Sequence, residues 1–156
     1  MSAKPFVDES KLHRERYDEI CERLVNDRYA QFLGIKLIEL GEGTATAELT
    51  VQDHMLNAHG TAHGAVIFSL ADFVFAAACN SYGKTSVALS MNIGFLAAGF
   101  KGNRLVATAT EEKKNNRTAW YRIRVESENE LIATLDALAY RKNEYFVSTE
   151  DEAQPN

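Results

Sequence analysis

The sequence predicts an α+β fold in which one antiparallel sheet wraps around a single long apolar helix. The element order is strand-strand-helix-strand-strand-strand-strand, with mostly short, hairpin-like links between strands. The helix, Ala65 to about Cys79, carries one charge, Asp72, in an otherwise apolar stretch. A helix that is apolar on every face is normally buried, so the sheet is expected to enclose it.

The first 33 residues predict an arm and two helices ahead of this body. Residues 1–9 are expected to be a loose arm, and Ser10 is expected to cap a helix that runs to Val25. One face of that helix is apolar at helical spacing: Tyr17, Ile20, Cys21, Leu24 and Val25. A shorter helix from Arg28 to Leu33 should end at Gly34. The expected organisation is therefore an arm and helix at 1–33, a main domain at 34–142 and a polar tail at 143–156.

Two strands precede the central helix. Ile35 to Leu40 is predicted as the first, followed by a turn at Gly41–Gly43. Thr44 to Val51 is predicted as the second because small or apolar residues alternate with polar ones along it. Residues 52–55 are a connector to the loop before the helix.

Four strands are predicted after the helix: Ser86 to Leu96, Arg104 to Glu112, Thr118 to Glu126 and Leu131 to Arg141. Asn115-Asn116 and Glu128-Asn129 are expected to be hairpin turns. Simple alternation would place Ser86, Ala88, Ser90 and Asn92 on one face of the first of these strands. The last strand should present an inward face of Leu131, Ala133, Leu135, Ala137 and Ala139.

Composition favours one soluble cytoplasmic domain. The chain has 156 residues, 46% hydrophobic and 25% charged, which is ordinary for a globular protein. Its net charge of −5 argues against nucleic acid or an anionic membrane as a partner. No signal-peptide core is expected at the N-terminus, and the run from Ala65 to Cys79 is too short to span a membrane. Two cysteines with no CxxC spacing fit a reducing compartment.

The stretch from Asn57 to Asp72 carries the strongest functional pattern. Asp72 is a costly carboxylate in an apolar helix, which is typical of functional sites. Gly60 and Gly64 allow close approach of the backbone, and the N–H of Gly64 at the helix start could bind an anion or an oxyanion. The alternative for Asp72 is a structural role, capping a neighbouring loop or lying at a solvated edge.

This stretch resembles the motif of hotdog-fold acyl-CoA thioesterases of the phenylacetic-acid-degradation (PaaI-like) type. The resemblance extends from about Leu33 to Arg141 and rests on five residues at matching spacings: Asn57, Gly60, His63, Gly64 and Asp72. Ala65 stands where relatives have a second glycine. The resemblance implies an enzyme that hydrolyses an acyl-CoA thioester, without metal or cofactor.

The resemblance also implies roles for individual residues. Asp72 would be the general base or the nucleophile, and the sequence leaves both open. Gly64 N–H would polarise the thioester carbonyl. Asn57 would orient water or the carbonyl. His63 would either support the loop or take part directly.

Further residues are candidates for substrate binding. They are Gly60, Ala65 and Phe68 around the helix start, Ser90 on the following strand, and Lys113, Lys114 and Arg117 at a hairpin tip. Relatives often have a hydroxyl residue at the position of Ala88, and Ser90 is the expected substitute. The three cations could bind the nucleotide end of coenzyme A or form a solvated turn. Phe73, Phe75 and Tyr82 could line an acyl pocket or belong to the core.

The sequence favours hydrolysis by Asp72 over three alternatives. His54, His59 and His63 could suggest a metal, but Gly60 and Gly64 lie among them and no cluster of cysteines or carboxylates is nearby. A triad of Ser69 or Ser90 with His63 and Asp72 lacks the G-x-S-x-G turn. A non-catalytic acyl-CoA-binding or sensor module on the same fold is the third, and Asp72 argues against it because a binder gains nothing from that carboxylate.

Helix geometry predicts a shared site. Gly64 and Asp72 are eight residues apart, roughly 12 Å along a helix axis. One helix cannot readily present both groups to one carbonyl, whereas two antiparallel copies could pair Gly64 of one chain with Asp72 of the other. The resemblance implies the same homodimer, with the two sheets joined side by side, and tetramers built as dimers of dimers.

Overall fold

The computed structural model describes residues 7–149 as four α-helices and one six-stranded antiparallel sheet. The elements in chain order are α1 (Glu9–Glu15), α2 (Tyr17–Val25), α3 (Arg28–Leu33), β1 (Lys36–Gly41), β2 (Thr44–Thr50), α4 (Gly64–Asn80), β3 (Lys84–Phe95), β4 (Arg104–Lys114), β5 (Thr118–Ser127) and β6 (Glu130–Tyr145). The sheet order is β1-β2-β4-β5-β6-β3, and α4 packs against all six strands. The predicted α+β architecture is confirmed.

The N-terminal helix differs from the predicted one. Asp8, not Ser10, caps α1 by accepting a hydrogen bond from Lys11 N at 3.0 Å, and the helix breaks at Arg16. The hydroxyl of Ser10 instead donates to the Glu42 carboxylate at 2.7 Å. Part of the predicted loose arm, residues 1–6, lies outside the described residues. Glu9, the last residue of the predicted arm, is helical because the cap is Asp8 and not Ser10, two residues later.

The third helix and the first two strands follow the prediction closely. The α3 helix ends at Gly34, whose φ of 74° is the left-handed cap conformation that glycine adopts most readily. A single turn of 3₁₀ helix, Asp53–Met55, forms the connector after β2. The alternation in β2 is confirmed by the burial of Ala45, Ala47, Leu49 and Val51.

The central helix is enclosed on all sides but one. Ten of its residues are buried, including Leu70, Val74 and Phe75 at 0–1% exposure. An uncovered stripe runs along the remaining face and consists of Ala65, Phe68, Ser69, Asp72 and Ala76, exposed or half-buried. The prediction of burial on every face was therefore wrong for this stripe. The spacing of three, four, seven and eleven residues puts all five positions on one side of the helix.

A β-bulge in β3 overturns the predicted alternation of that strand. Ala88 pairs with Ala139 of β6, but Ser90 pairs with Leu138, so Leu89 is an extra residue. Ala88, Met91 and Ile93 consequently share the face that α4 covers. Ser90 and Asn92 point to the opposite face, because one inserted residue reverses the orientation of everything after it.

The sheet ends on a partly exposed edge at β3. Within the described strands, β3 pairs only with β6, and its other edge is open. Large apolar side chains along it are exposed: Val87 at 41%, Leu89 at 57% and Phe95 at 52%. An open strand edge with exposed apolar side chains can pair with a further strand.

The last two hairpins contain the predicted turns. Glu128 and Asn129 both have positive φ, 48° and 72°, as a type I′ turn requires. The β6 strand continues to Tyr145, four residues beyond the predicted end. A bulge near its start buries Ile132, so the inward face begins there and not at Leu131, which is half-buried. Among the helices described, none has the length and apolar character needed to cross a membrane.

Candidate active site

Asn57 holds together the loop that precedes α4. Its Oδ1 accepts hydrogen bonds from His59 N at 2.9 Å and Thr61 N at 3.2 Å, and its Nδ2 donates to Thr61 Oγ1 at 2.8 Å. Its backbone N–H donates to Thr61 O, and its carbonyl accepts from Gly60 N, where φ is +76°. Both groups of the side chain are thus engaged within the loop, which fixes the approach of the chain to the helix.

His63 caps α4 through its side chain. Its Nδ1 accepts a hydrogen bond from Ala65 N at 3.1 Å, and its carbonyl accepts from Val66 N and Ile67 N. The N–H of Gly64 has no hydrogen-bond acceptor among the described residues. The loop-supporting alternative for His63 therefore has a structural basis, and one donor at the positive end of the helix remains free.

Gly64 opens into a cleft of about 430 Å³ between the loop and the end of β3. The cleft is lined by Asn57, Thr61 and Gly64 on one side and by Phe95 and Leu96 on the other. A Cβ at position 64 would lie 3.1 Å from Phe95 Cζ, closer than ordinary contact. A glycine here keeps the amide accessible beside the aromatic ring.

Asp72 lies on the uncovered stripe of α4, two turns beyond Gly64. Its carboxylate is exposed in the single chain and forms no hydrogen bond or ion pair with any described residue. Partial enclosure by the protein raises the pKa of Asp72, and the negative charge of Asp27 at the start of α3 raises it further.

Gly64 and Asp72 do not meet within one chain. Gly64 faces the cleft beside Phe95, whereas Asp72 does not line that cleft. The helix between them is continuous from residue 64 to residue 80, so the separation along its axis is roughly 12 Å. A single chain therefore presents two half-sites, one with a free N–H donor and one with an unpaired carboxylate.

Ser69, one of the two serines of the possible triad, forms its hydrogen bonds elsewhere. Ser69 Oγ donates to Ala65 O at 2.7 Å and lies 3.2 Å from Tyr29 Oη. The His63 ring is committed to its own helix cap. No group of three or more potential metal ligands gathers anywhere between residues 7 and 149.

Other candidate binding residues fall into different surroundings. Ala65 and Phe68 lie on the same stripe as Asp72, where they could contact a substrate. Phe73, Phe75 and Tyr82 belong to the core, with exposures of 7% or less. Ser90 was expected on the face of Ala88 and lies on the opposite one, so its expected contact with the reacting groups loses its geometric basis.

The expected basic patch at the hairpin tip is divided. Lys114 pairs with Ala119 and turns inward onto α1, where its Nζ lies 3.2 Å from Glu9 Oε2. Lys113 pairs with Trp120 and points to the outer face of the sheet, while Arg117 is exposed at the tip. These three cations do not form one surface, because successive residues of a strand point to opposite faces.

Sequence reasoning missed the contributions of Phe95 and Asp27. The sequence predicts Phe95 only as part of a strand and not as the wall beside Gly64, and it predicts no role for Asp27. The exposed Phe95-Leu96 pair at the end of an edge strand was the available signal for the first. Nothing in the local sequence placed Asp27 near Asp72.

The sequence matches the family profile described as "Thioesterase superfamily" over residues 59–134. A putative esterase of Archaeoglobus fulgidus is 42% identical over 125 residues, covering 80% of this chain and 81% of the relative. The acyl-coenzyme A thioesterase PaaI of Escherichia coli is 42% identical over 110 residues, covering 70% and 79%. The chain belongs to the thioesterase superfamily.

The structure agrees with this assignment. The solved structure of E. coli PaaI, from the phenylacetic acid degradation operon, superposes on this thioesterase with a TM-score of 0.81. The match has 36% identity and covers 86% of this chain and 98% of PaaI. The sheet wrapped around α4 is thus the hotdog fold of PaaI-like thioesterases, as the motif from Asn57 to Asp72 indicated.

Proposed function

We propose that this thioesterase hydrolyses an acyl-CoA thioester to the free acid and coenzyme A. The acyl group would be aryl-acetyl, another aromatic acyl or a medium-chain acyl group. One observation supports the proposal above the others: the unpaired Asp72 carboxylate stands on the only uncovered face of an otherwise buried helix. If a second chain covers this stripe, an ionised carboxylate without a partner becomes costly there, and such a carboxylate is typical of functional sites. The name of the PaaI relative supports acyl-CoA as the substrate class.

The reaction needs two groups that act on one carbonyl. Gly64 N–H, at the positive end of α4, would donate to the thioester oxygen and stabilise the negative charge that develops on it. Asp72 would then either remove a proton from the attacking water or attack the carbonyl carbon itself. In the first route the thiolate of coenzyme A leaves and takes up the proton that Asp72 removed from water. In the second route the thiolate leaves and is protonated by solvent, and water then hydrolyses the Asp72 anhydride to release the free acid and restore the carboxylate. Asn57 and His63 would hold the loop so that the Gly64 amide points at the substrate.

The active unit would be a homodimer in which each site uses both chains. The open edge of β3, with Val87, Leu89 and Phe95 exposed, is a suitable surface for joining two sheets. A two-fold axis there runs the two α4 helices antiparallel. Gly64 of one chain then faces Asp72 of the other, and the uncovered stripe is buried by the second copy. Two such dimers could pair as a tetramer.

Mixing two inactive variants tests the shared site. Asp72→Asn should lower kcat by at least ~10²-fold while keeping the fold, since it removes a positioned proton acceptor. Gly64→Pro should remove the N–H donor, and the backbone tolerates it because proline is favoured at the first helical position and His63 has an extended conformation. Equal mixing after subunit exchange should restore about a quarter of the wild-type activity, since half of the dimers carry one intact site.

A matched control separates the donor from the added bulk. Gly64→Ala puts the same Cβ near Phe95 but keeps the N–H, so it should retain much more activity than Gly64→Pro. If Asp72→Asn and Gly64→Pro chains form mixed dimers that stay inactive, the shared site is wrong. A folded Asp72→Asn protein with normal turnover would remove Asp72 from the mechanism altogether.

A further inference from the structure

Three cations gather in a cleft at the far end of α4 from Gly64. They are Lys84 at the start of β3, Lys114 at the end of β4 and Arg141 in β6. Arg141 is only 4% exposed and Lys84 only 8%. The cleft has a volume of about 420 Å³ and is open to solvent beside Asn115, Asn116 and Tyr145. Cations this deeply buried are normally matched by anions.

One carboxylate contacts all three cations. Glu9 of α1 lies 3.6 Å from Lys84 Nζ and 3.2 Å from Lys114 Nζ, and it forms an ion pair with Arg141. Burial alone would raise the pKa of Glu9, but the hydrogen bonds and charges of Arg141 and Lys114 outweigh it and hold the pKa below its usual value. Glu9 is therefore ionised at neutral pH.

The remaining contacts of the cations are neutral. Arg141 Nη1 donates to the carbonyl of Asn115 at 2.6 Å, and Lys114 Nζ lies 3.4 Å from the centre of the Tyr82 ring. Asp8 also lines the cleft, but its carboxylate caps α1. Three positive charges thus contact one negative charge, and the lining keeps an excess of positive charge even with the Asp8 carboxylate included.

We propose that this cleft binds the phosphate groups of the coenzyme A thioester. The proposal rests on the function proposed above. A guanidinium and two ammonium groups at one opening suit phosphate oxygens, since arginine can bind two oxygens at once and lysine adds a mobile point charge. The phosphate site is therefore Lys84, Lys114 and Arg141, not the tip of the hairpin.

Dimer geometry brings this cleft to the entrance of the shared site. The exposed part of β3 runs from Val87 to Phe95, so a two-fold axis at its middle places Val87 opposite Phe95 of the partner subunit. Lys84 is three residues farther along, roughly 10 Å. Gly64 of the partner subunit lies against that same phenylalanine. The cationic cleft of one chain therefore adjoins the oxyanion donor of the other, on the face that α4 covers.

Substitutions of Lys84 and Glu9 should change the KM for an acyl-CoA in opposite directions. Lys84→Gln removes an attraction for phosphate and should raise the KM for an acyl-CoA roughly tenfold, the size of a lost charge-assisted hydrogen bond. Glu9→Gln removes a repulsion and should lower that KM. Neither variant should change the KM for the same acyl group on pantetheine, which has no phosphate beyond the arm. Lys142→Gln, an equal charge change on the opposite face of β6, should change neither KM.

Three results would overturn the proposal. Lys84→Gln could leave both KM values unchanged, it could change both equally, or Glu9→Gln could raise the KM for acyl-CoA. Lys84→Arg, which keeps the charge, should restore a near-normal KM. If Lys84→Gln does not fold, Lys114→Gln carries the same expectation at a more exposed position, 25% for the side chain.

Binding without turnover separates this proposal from the proposed function. If the wild-type protein hydrolyses neither substrate, hydrolysis fails, and thermal shifts with adenosine 3′,5′-bisphosphate then decide about the cleft. A rise in Tm that Lys84→Gln abolishes supports the phosphate site, and no rise contradicts it. An equal rise with inorganic phosphate at the same concentration would overturn the assignment to coenzyme A in favour of free phosphate.

Discussion

Replacing Asn57 by alanine should loosen the loop that positions the Gly64 amide. The substitution removes three hydrogen bonds, with donor-acceptor distances of 2.8, 2.9 and 3.2 Å. At about 1 kcal/mol net for each bond, the cost is at most about 3 kcal/mol. For a chain of this size, each kcal/mol lowers Tm by roughly 2–4 °C, so a loss of about 3 kcal/mol lowers it by roughly 6–12 °C. Because small misplacements of catalytic groups are costly, kcat/KM should also fall at least roughly tenfold.

Two further variants separate the loss of stability from the loss of activity. Thr61→Val removes only the bond from Asn57 Nδ2 and should cost about 1 kcal/mol. Asn57→Asp keeps the oxygen that accepts from His59 N and Thr61 N, and the Thr61 hydroxyl can donate to the new carboxylate in place of the lost Nδ2 bond, so Tm should stay near that of the wild type. Its negative charge, however, lies in the same cleft as Gly64 N–H and opposes the developing oxyanion, so kcat should fall.

Thermal unfolding followed by circular dichroism, together with steady-state kinetics, measures both effects. An Asn57→Ala protein with a Tm within about 2 °C of the wild type would show that the three bonds contribute little. Full activity in Asn57→Asp would refute the electrostatic argument.

Three further outcomes are expected. The pKa of Asp72 is raised, so activity should fall as the pH decreases through that pKa and the carboxylate becomes protonated. Asp27→Asn keeps the α3 cap and should shift this loss of activity to lower pH. A pH profile that does not shift would show that Asp27 does not raise the pKa of Asp72. The pKa of Glu9 is lowered in the folded protein, so the stability that ionised Glu9 contributes is complete above its ordinary pKa of 4.5 and is lost as the pH falls through its pKa in the folded protein. The Tm difference between wild type and Glu9→Gln should therefore shrink over that pH range. A Tm difference that stays constant with pH would contradict the ion pairs of Glu9. Ser90→Ala should leave kcat/KM within about twofold, since surface changes away from a site are small; a large loss would place Ser90 back at the reacting groups.

Much of the fold could be predicted because the hydrophobic pattern is regular where the structure is regular. The β2 strand alternates without interruption, and the Glu128-Asn129 turn has the local chemistry that its φ values require. The face of Ser90 could not be predicted, because a bulge adds one residue to β3 without leaving a mark in its composition. Only the pairing with β6 reveals which residue is extra.

The two key residues of the half-sites could be predicted from the sequence, but their surroundings could not. Asp72 and Gly64 stand out locally, one as a charge in an apolar run and the other as a glycine at a helix start. The uncovered stripe does not, because Ala65 and Ala76 are the residue types that the buried faces of α4 also contain. The inward position of Lys114 depends on Glu9, 105 positions earlier in the sequence, and no local pattern predicts such a pairing.

The open edge of β3 has a consequence for synthesis of the protein in a cell. Until it forms the dimer proposed above, a newly folded chain has an open strand edge whose backbone groups can pair with other extended segments. The strand also has exposed apolar side chains that favour association: Val87, Leu89 and Phe95. Correct pairing and aggregation therefore compete for the same surface. Charged substitutions at Leu89, intended to block pairing, should yield a soluble single chain, whereas slow assembly of the unaltered chain favours inclusion bodies at high expression.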